Sequence, residues 1–214
     1  MKLYGHAISQ TTLQVMALLA SKKFSARFVS VDVTAGQQKQ EAHRELHPFG
    51  HIPVLEDGDF RLYETHAILR YLDSRLPGRS YVPSDVYERA RMDQWLCIEQ
   101  NYLLPAGKKV MARGYAQMMK LPDPGESVVE EGKRELGFVL EQFARWIAGK
   151  RYVADETLSL ADLCWWADLH KVAALPLGAS PIEDHRVRPW WSRVSEREEW
   201  QGAIAQLAAC EARA

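Results

Sequence analysis

The chain has 214 residues, 47% of them hydrophobic, and a formal net charge of −1, which suits real cores and gives no general attraction for nucleic acid or an anionic membrane. Cys97, Cys164 and Cys210 are widely spaced, with no Cys-x-x-Cys pair, which argues against a disulfide framework or a zinc knuckle. Met1 to Gly5 lacks the apolar core of a signal peptide and no apolar run approaches the roughly 20 residues that span a bilayer, so the cytoplasm is the expected address.

The first part of the chain reads as a small α/β unit. A strand over Lys2 to Tyr4 is followed by a helix over Thr11 to Ser21, where Leu13, Met16, Ala17 and Ala20 recur at helical spacing. Phe28, Val29 and Val31, within Ala26 to Val31, suit a buried strand, and the helical connection from the first strand implies parallel pairing. A helix is expected over Gln38 to Leu46. His47-Pro48-Phe49-Gly50-His51-Ile52-Pro53 then holds Ile52 extended before proline, with its amide and carbonyl able to pair with something outside the sheet. Pro53 to Glu56, the turn dipeptide Asp57-Gly58 and Phe60 to Tyr63 form a hairpin, and Thr65 to Arg75 a helix.

Two prolines and a glycine break every period in Leu76 to Asp85. The expected domains are therefore 1–76 and 86–214, joined by a linker at 77–85. The second is helical throughout: Val86 to Lys120, kinked by Pro105, then Ser127 to Ala148, Leu160 to Ala173, Pro189 to Val194 and Glu199 to Ala209. Ser159-Leu160-Ala161-Asp162 has the spacing of a reciprocal capping box, a folding feature rather than a catalytic pair. Cys97 and Cys164 read as small core residues. His43 and His47, at helical separation, have no third ligand near them in sequence, so no metal site is expected.

Chemistry is expected at the C-terminal end of the first strand, where helix N-termini supply N–H groups and positive partial charge. Ser9-Gln10-Thr11-Thr12 occupies that place. Ser9 either simply caps its helix or also stabilises a thiolate there. No protein thiol accompanies it, so the sulfur has to arrive with a substrate, and a thiol-bearing peptide fits. Glu64-Thr65, at the start of the next helix, can hold a ligand carboxylate; Gln38 and Lys39 can reach another, and Ile52 can pair with the peptide backbone.

Ser9, Gly36-Gln37-Gln38-Lys39, Pro48 to Pro53, Glu64-Thr65, the 159–162 box and the late Pro189-Trp190-Trp191 fall in the order seen in cytosolic glutathione S-transferases. The chain resembles their phi-like serine group over essentially its full length. The resemblance implies a thioredoxin-like N-terminal domain that binds glutathione, an all-α helical-bundle C-terminal domain that contributes the electrophile pocket, and a homodimer. It implies that Ser9 activates the glutathione thiol, that Gln38, Lys39, His51, Ile52, Glu64 and Thr65 bind glutathione, and that Pro53 is cis. Glutathione then serves as co-substrate with no tightly bound cofactor, and the partners are glutathione and a small hydrophobic electrophile, with neither nucleic acid nor membrane.

Departures from the family pattern are Gly36-Gln37-Gln38-Lys39 for Gly-Glu-His-Lys, Phe49-Gly50-His51-Ile52-Pro53 for Phe-Gly-Gln-Val-Pro and Glu64-Thr65 for Glu-Ser. His51 adds a group that titrates near neutrality. Tyr4 stands as a minor rival to Ser9. The electrophile is expected against Ile8, Met111, Tyr115 and Met118, where flexible thioethers tolerate varied shapes, although Met and Tyr at helical spacing also serve as ordinary core. The function expected is conjugation of glutathione thiolate to small hydrophobic electrophiles. Its rivals are a glutathione-dependent peroxidase or isomerase and a non-catalytic ligand-binding protein of the same fold.

Overall fold

The computed structural model describes residues 1–173 and 180–211. The chain forms two compact units, Met1–Ser80 with Glu196–Ala214, and Tyr81–Ser195.

In the first unit β1 (Lys2–Gly5), α1 (Gln10–Ser21), β2 (Arg27–Ser30), a 3-10 turn (Gln37–Lys39), α2 (Glu41–Arg44), β3 (Val54–Asp57), β4 (Phe60–Tyr63) and α3 (Thr65–Arg75) follow in order. The sheet has strand order β2-β1-β3-β4. β1 runs parallel to β2, with Leu3 opposite Phe28, and antiparallel to β3, with Leu3 opposite Leu55. β2 is therefore an edge strand, and Phe28 and Val29 are half-buried; Val31, just past it, is buried. The buried strand expected over Ala26 to Val31 is therefore only half-buried at Phe28 and Val29.

The single helix expected over Gln38 to Leu46 is also divided. Gly36 takes a left-handed conformation at φ 73° and Gln40 is extended, which separates the 3-10 turn from α2. The hairpin loop sits one residue later than Asp57-Gly58, because Asp57 pairs with Phe60 and leaves Gly58-Asp59 as the two-residue loop. Gly58, at φ 62°, supplies the positive angle at the first loop position, as in a type II′ turn.

α1 and α3 pack together, and Leu3, Leu13, Leu18, Leu55, Ile68, Leu69 and Leu72 make the fully buried core. Under this core Lys22 and Asp73 form an ion pair of 2.8 Å with both side chains almost completely buried. The ammonium also donates to the carbonyls of Asp73 and Arg79, and Ser80 Oγ donates to the Asp73 carboxylate at 2.8 Å. The pair ties the end of α1 to the end of α3. α10 (Glu198–Glu211) packs along α1, burying Trp200, Ala203 and Leu207, and Trp200 Nε1 donates to Ser21 Oγ at 2.9 Å. This C-terminal helix belongs to the first compact unit, whereas chain order had grouped it with 86–214.

The second unit contains α4 (Val86–Ile98), α5 (Leu104–Val110), α6 (Ala112–Met118), α7 (Glu126–Ile147), α8 (Leu160–Val172) and α9 (Arg188–Ser195). Asp85 caps α4, accepting from the amides of Tyr87 and Glu88 at 2.9 Å. Pro105, which has no N–H to donate, lies directly after a π-helical turn over Glu99–Leu103, in which the Leu104 amide bonds the Glu99 carbonyl. Just before Pro105 the expected long helix changes winding from α to π and back. Phe143 stacks on Trp165 at 4.1 Å, and Trp95 and Trp190 meet Phe143 edge-on.

The capping box at α8 is present. Asp162 is wholly buried and accepts from the Ser159 amide and hydroxyl, the Val153 amide and Trp190 Nε1, all at 2.8 to 2.9 Å. Burial pushes its carboxyl pKa up, and those four donors pull it back. Cys164 is buried, as expected, but Cys97 is exposed on α4. No helix among the described residues is long and apolar enough to cross a membrane.

Candidate active site

Gly5 ends β1, and residues 6–9 turn the chain into α1. Ser9 sits at the helix N-cap with extended angles (φ −82°, ψ 120°), and its Oγ accepts from the Thr12 amide at 3.2 Å. The cap leaves the first helical N–H groups and the positive end of α1 gathered around a half-buried hydroxyl. Thr11 Oγ1 lies 2.8 Å from Ser9 Oγ and 3.5 Å from the Ile52 carbonyl oxygen. Beneath them the Thr12 hydroxyl accepts from the His6 amide at 3.4 Å, and His6 Nδ1 accepts from the Ile8 amide at 3.2 Å.

Tyr4 is engaged elsewhere. Its hydroxyl donates to Glu56 Oε2 at 2.8 Å, in a cluster with Lys2 and Arg61. Burial and that bond push its pKa up, away from phenolate.

The 3-10 turn contributes Gln38, whose side chain is buried, with Nε2 donating to the Val33 carbonyl at 3.4 Å. Its Oε1 has no hydrogen-bond partner among the described residues. Lys39 reaches across to the Phe49 carbonyl at 3.1 Å. Between them Gly50 stands at φ 64°, where a Cβ would lie 2.7 Å from the Gln38 carbonyl oxygen, so only glycine lets the two segments approach. The exposed His51 follows, its carbonyl 2.8 Å from His43 Nε2, and the Ile52–Pro53 peptide is cis.

Glu64 precedes α3 at φ 71°, a left-handed angle that a non-glycine residue seldom takes and one associated with functional positions. Its side chain is exposed, whereas Thr65, which opens the helix, is buried. His47 is 2% exposed and puts Nε2 3.9 Å from Glu64 Oε1. Its ring packs against Tyr63 at 4.6 Å and His51 at 5.5 Å. Burial lowers the His47 pKa; Glu64 opposes that, and His51, His43 and Lys39 add to it.

Contacts therefore run from Ser9 through Thr11 to Ile52, from the Gln38-Lys39 turn to the 49–50 loop, and from that loop through His47 to Glu64. These are the segments that sequence reading nominated. The same order of segments is found in known proteins. The family model for the glutathione S-transferase N-terminal domain matches residues 1–74, and that for the C-terminal domain matches 102–198. Glutathione S-transferase F10 of Arabidopsis thaliana is 31% identical, covering 90% of this chain and 91% of that protein.

The chain belongs to the glutathione S-transferase family, in its phi-like group.

A probable glutathione S-transferase, GSTF2, of Oryza sativa subsp. japonica is also 31% identical, with 92% of each chain covered. Glutathione transferase F2 from Populus trichocarpa superposes with a TM-score of 0.84 at 25% identity, covering 97% of this chain and 99% of that one. The apo structure of glutathione S-transferase III gives 0.82 at 29%, with 96% of each covered.

The four residues expected against the electrophile divide between the units of this transferase. Ile8 is half-buried in the loop before α1 of the first. In the second, Met111 joins α5 to α6, and Tyr115 and Met118 follow it at helical spacing along α6. Burial raises the Tyr115 pKa. Among the described residues there is no group of three or more His, Cys, Asp or Glu side chains arranged to hold a metal ion. Sequence reading missed two neighbours of the site: Thr11, two residues from Ser9, and His47, whose helical spacing from His43 drew attention to metals instead. For Thr11 the available signal was the run of three hydroxyls, Ser9, Thr11 and Thr12.

Proposed function

We propose that this transferase holds the glutathione sulfur at Ser9 as a thiolate and directs it onto small hydrophobic electrophiles. The observation that carries the reading is a Ser9 hydroxyl already capping α1, beside the helix amides and 2.8 Å from Thr11 Oγ1, which itself reaches the Ile52 carbonyl. Ser9 donates a hydrogen bond to the sulfur and forms no covalent bond. One charge-assisted hydrogen bond of about 1.5 to 3 kcal/mol lowers a thiol pKa by roughly one to two units.

In this reading Ile52 pairs with the cysteinyl backbone of glutathione. Thr65 and the first amides of α3 take one carboxylate, Glu64 takes the ligand ammonium, and Gln38, Lys39 and His51 hold the other end. The buried Gln38 Oε1 without a partner supports a polar guest on that side. In this reading 1–76 binds glutathione, 77–85 links, and 86–214 contributes Met111, Tyr115 and Met118 to the electrophile. The enzyme is a homodimer in the cytoplasm and carries no tightly bound cofactor.

The test is Ser9→Ala, followed by the ultraviolet absorbance of bound glutathione thiolate against pH and by conjugation of an aryl halide. Expected are a rise of roughly one to two units in the bound thiol pKa and a fall in kcat/KM of about 10- to 100-fold near neutrality, with glutathione affinity nearly intact. An unshifted thiol pKa and unchanged turnover overturn the reading. Retention on glutathione resin without any conjugation by the wild type selects the non-catalytic binding protein instead.

A further inference from the structure

We propose that Thr11 is a positioning residue for thiol activation, its hydroxyl joining the Ile52 carbonyl to Ser9 so that docking of the peptide turns the Ser9 proton toward the sulfur. This rests on Ser9 being the activating group, and deepens that reading.

The argument is a count of protons and lone pairs. A serine hydroxyl has one proton to give and two lone pairs to fill. One lone pair of Ser9 Oγ is taken by the Thr12 amide at 3.2 Å. Thr11 Oγ1, 2.8 Å away, shares a bond with Ser9 in which either oxygen can be the donor. If Ser9 donates to Thr11, its only proton is spent and it has nothing to offer an anion. If Thr11 donates to Ser9, both Ser9 lone pairs are filled and the Ser9 proton has to point elsewhere, toward the position of the guest sulfur.

Which state holds depends on where the Thr11 proton goes. Its alternative acceptor is the Ile52 carbonyl at 3.5 Å, the outer limit of a hydrogen bond. A peptide guest that pairs with Ile52 fills one of the two lone pairs of that carbonyl and further weakens a contact already at the outer limit. Ser9 Oγ, at 2.8 Å, is then the better acceptor for Thr11, and the arrangement Ile52–ligand, Thr11→Ser9→sulfur follows. The bond that Ser9 receives also polarises the one that it gives, which strengthens it.

Thr11 touches no reacting atom in this scheme and acts only through Ser9, which sets the form of the test. Thr11→Val keeps the branched shape and removes the hydroxyl. Bound glutathione thiol pKa, read by ultraviolet absorbance, is expected to rise by about half to one unit, and kcat/KM for an aryl halide to fall roughly three- to tenfold at pH 6.5, recovering as pH rises. KM for glutathione stays within about twofold, Thr11→Ser restores the wild-type profile, and Ser9→Ala with Thr11→Val is no worse than Ser9→Ala alone.

Far-UV circular dichroism and thermal melting check that α1 is intact, and Thr11→Ala replaces Thr11→Val if the latter does not fold. A wild-type thiol pKa in Thr11→Val, a Thr11→Ser as defective as Thr11→Val, or additive losses in the double variant overturn the proposal. If Ser9→Ala raises the thiol pKa and Thr11→Val does not, the relay fails while Ser9 activation stands. If Ser9→Ala itself leaves the thiol pKa unmoved, both fail.

Discussion

His47 is a buried ring set among aromatic, cationic and acidic neighbours. It is enclosed by Tyr63, Phe49 and His51, with Glu64 3.9 Å from its Nε2. Burial holds its pKa below the ordinary value of 6.5, so between the folded and unfolded values the unfolded chain binds more protons than the folded one. Stability from this residue is therefore fully present above about pH 6.5 and is lost as pH falls through that window toward the folded value. Melting temperatures measured from pH 7.5 to 5 are expected to drop more steeply in the wild type than in His47→Asn, whose amide does not titrate. Equal slopes would remove His47 as the source. At this scale Ser9, Ile52, Glu64 and Thr65 were legible because each follows from a local rule, a cap, a residue before proline or a helix start. Thr11 and His47 were not, because their roles lie in contacts with Ile52, Glu64 and Tyr63 that join separate segments.

Among the elements, α1 and α3 are fastened by Lys22 and Asp73. A buried ion pair is a weak source of net stability, but removing one partner strands the other charge. Lys22→Met removes the ammonium from the Asp73 carboxylate and from the carbonyls of Asp73 and Arg79. A loss of about 3 to 5 kcal/mol is expected in urea unfolding, most of it recovered by Lys22→Met with Asp73→Leu, since the double change removes the stranded charge. A single variant as stable as the wild type would show that the charges are not held in this way. Element existence and order were readable from periodicity, and α3 was placed to the residue. The errors fell where backbone angles outweigh pattern. Gly36 and Gln40 split the helix expected over 38–46, and Gly58 moved the hairpin loop by one residue. The edge position of β2 needed the strand order, which β-branched composition alone does not give.

For the whole molecule, the homodimer that we propose makes a measurable demand on surface hydrophobes. Phe49 is 66% exposed, in the loop that also carries Gly50 and His51, and a large apolar ring in water gains from a second chain that covers it. Sedimentation is expected to give a two-chain particle for the wild type and a shift toward the single chain for Phe49→Glu. A monomeric wild type at micromolar concentration would refute the assembly. The two-part plan of an α/β unit followed by helices was legible from the break in period at 76–85. The allegiance of α10 was not, since an apolar stripe states that a helix face is covered and leaves open which surface covers it.

That allegiance has a consequence for how the molecule is made. Trp200, Ala203 and Leu207 complete the packing on α1, and they leave the ribosome some 120 residues after Ser80. The nascent α/β half thus waits, with a hydrophobic flank bare, through synthesis of the entire helical half, and its closure is a late event of biosynthesis rather than an early one.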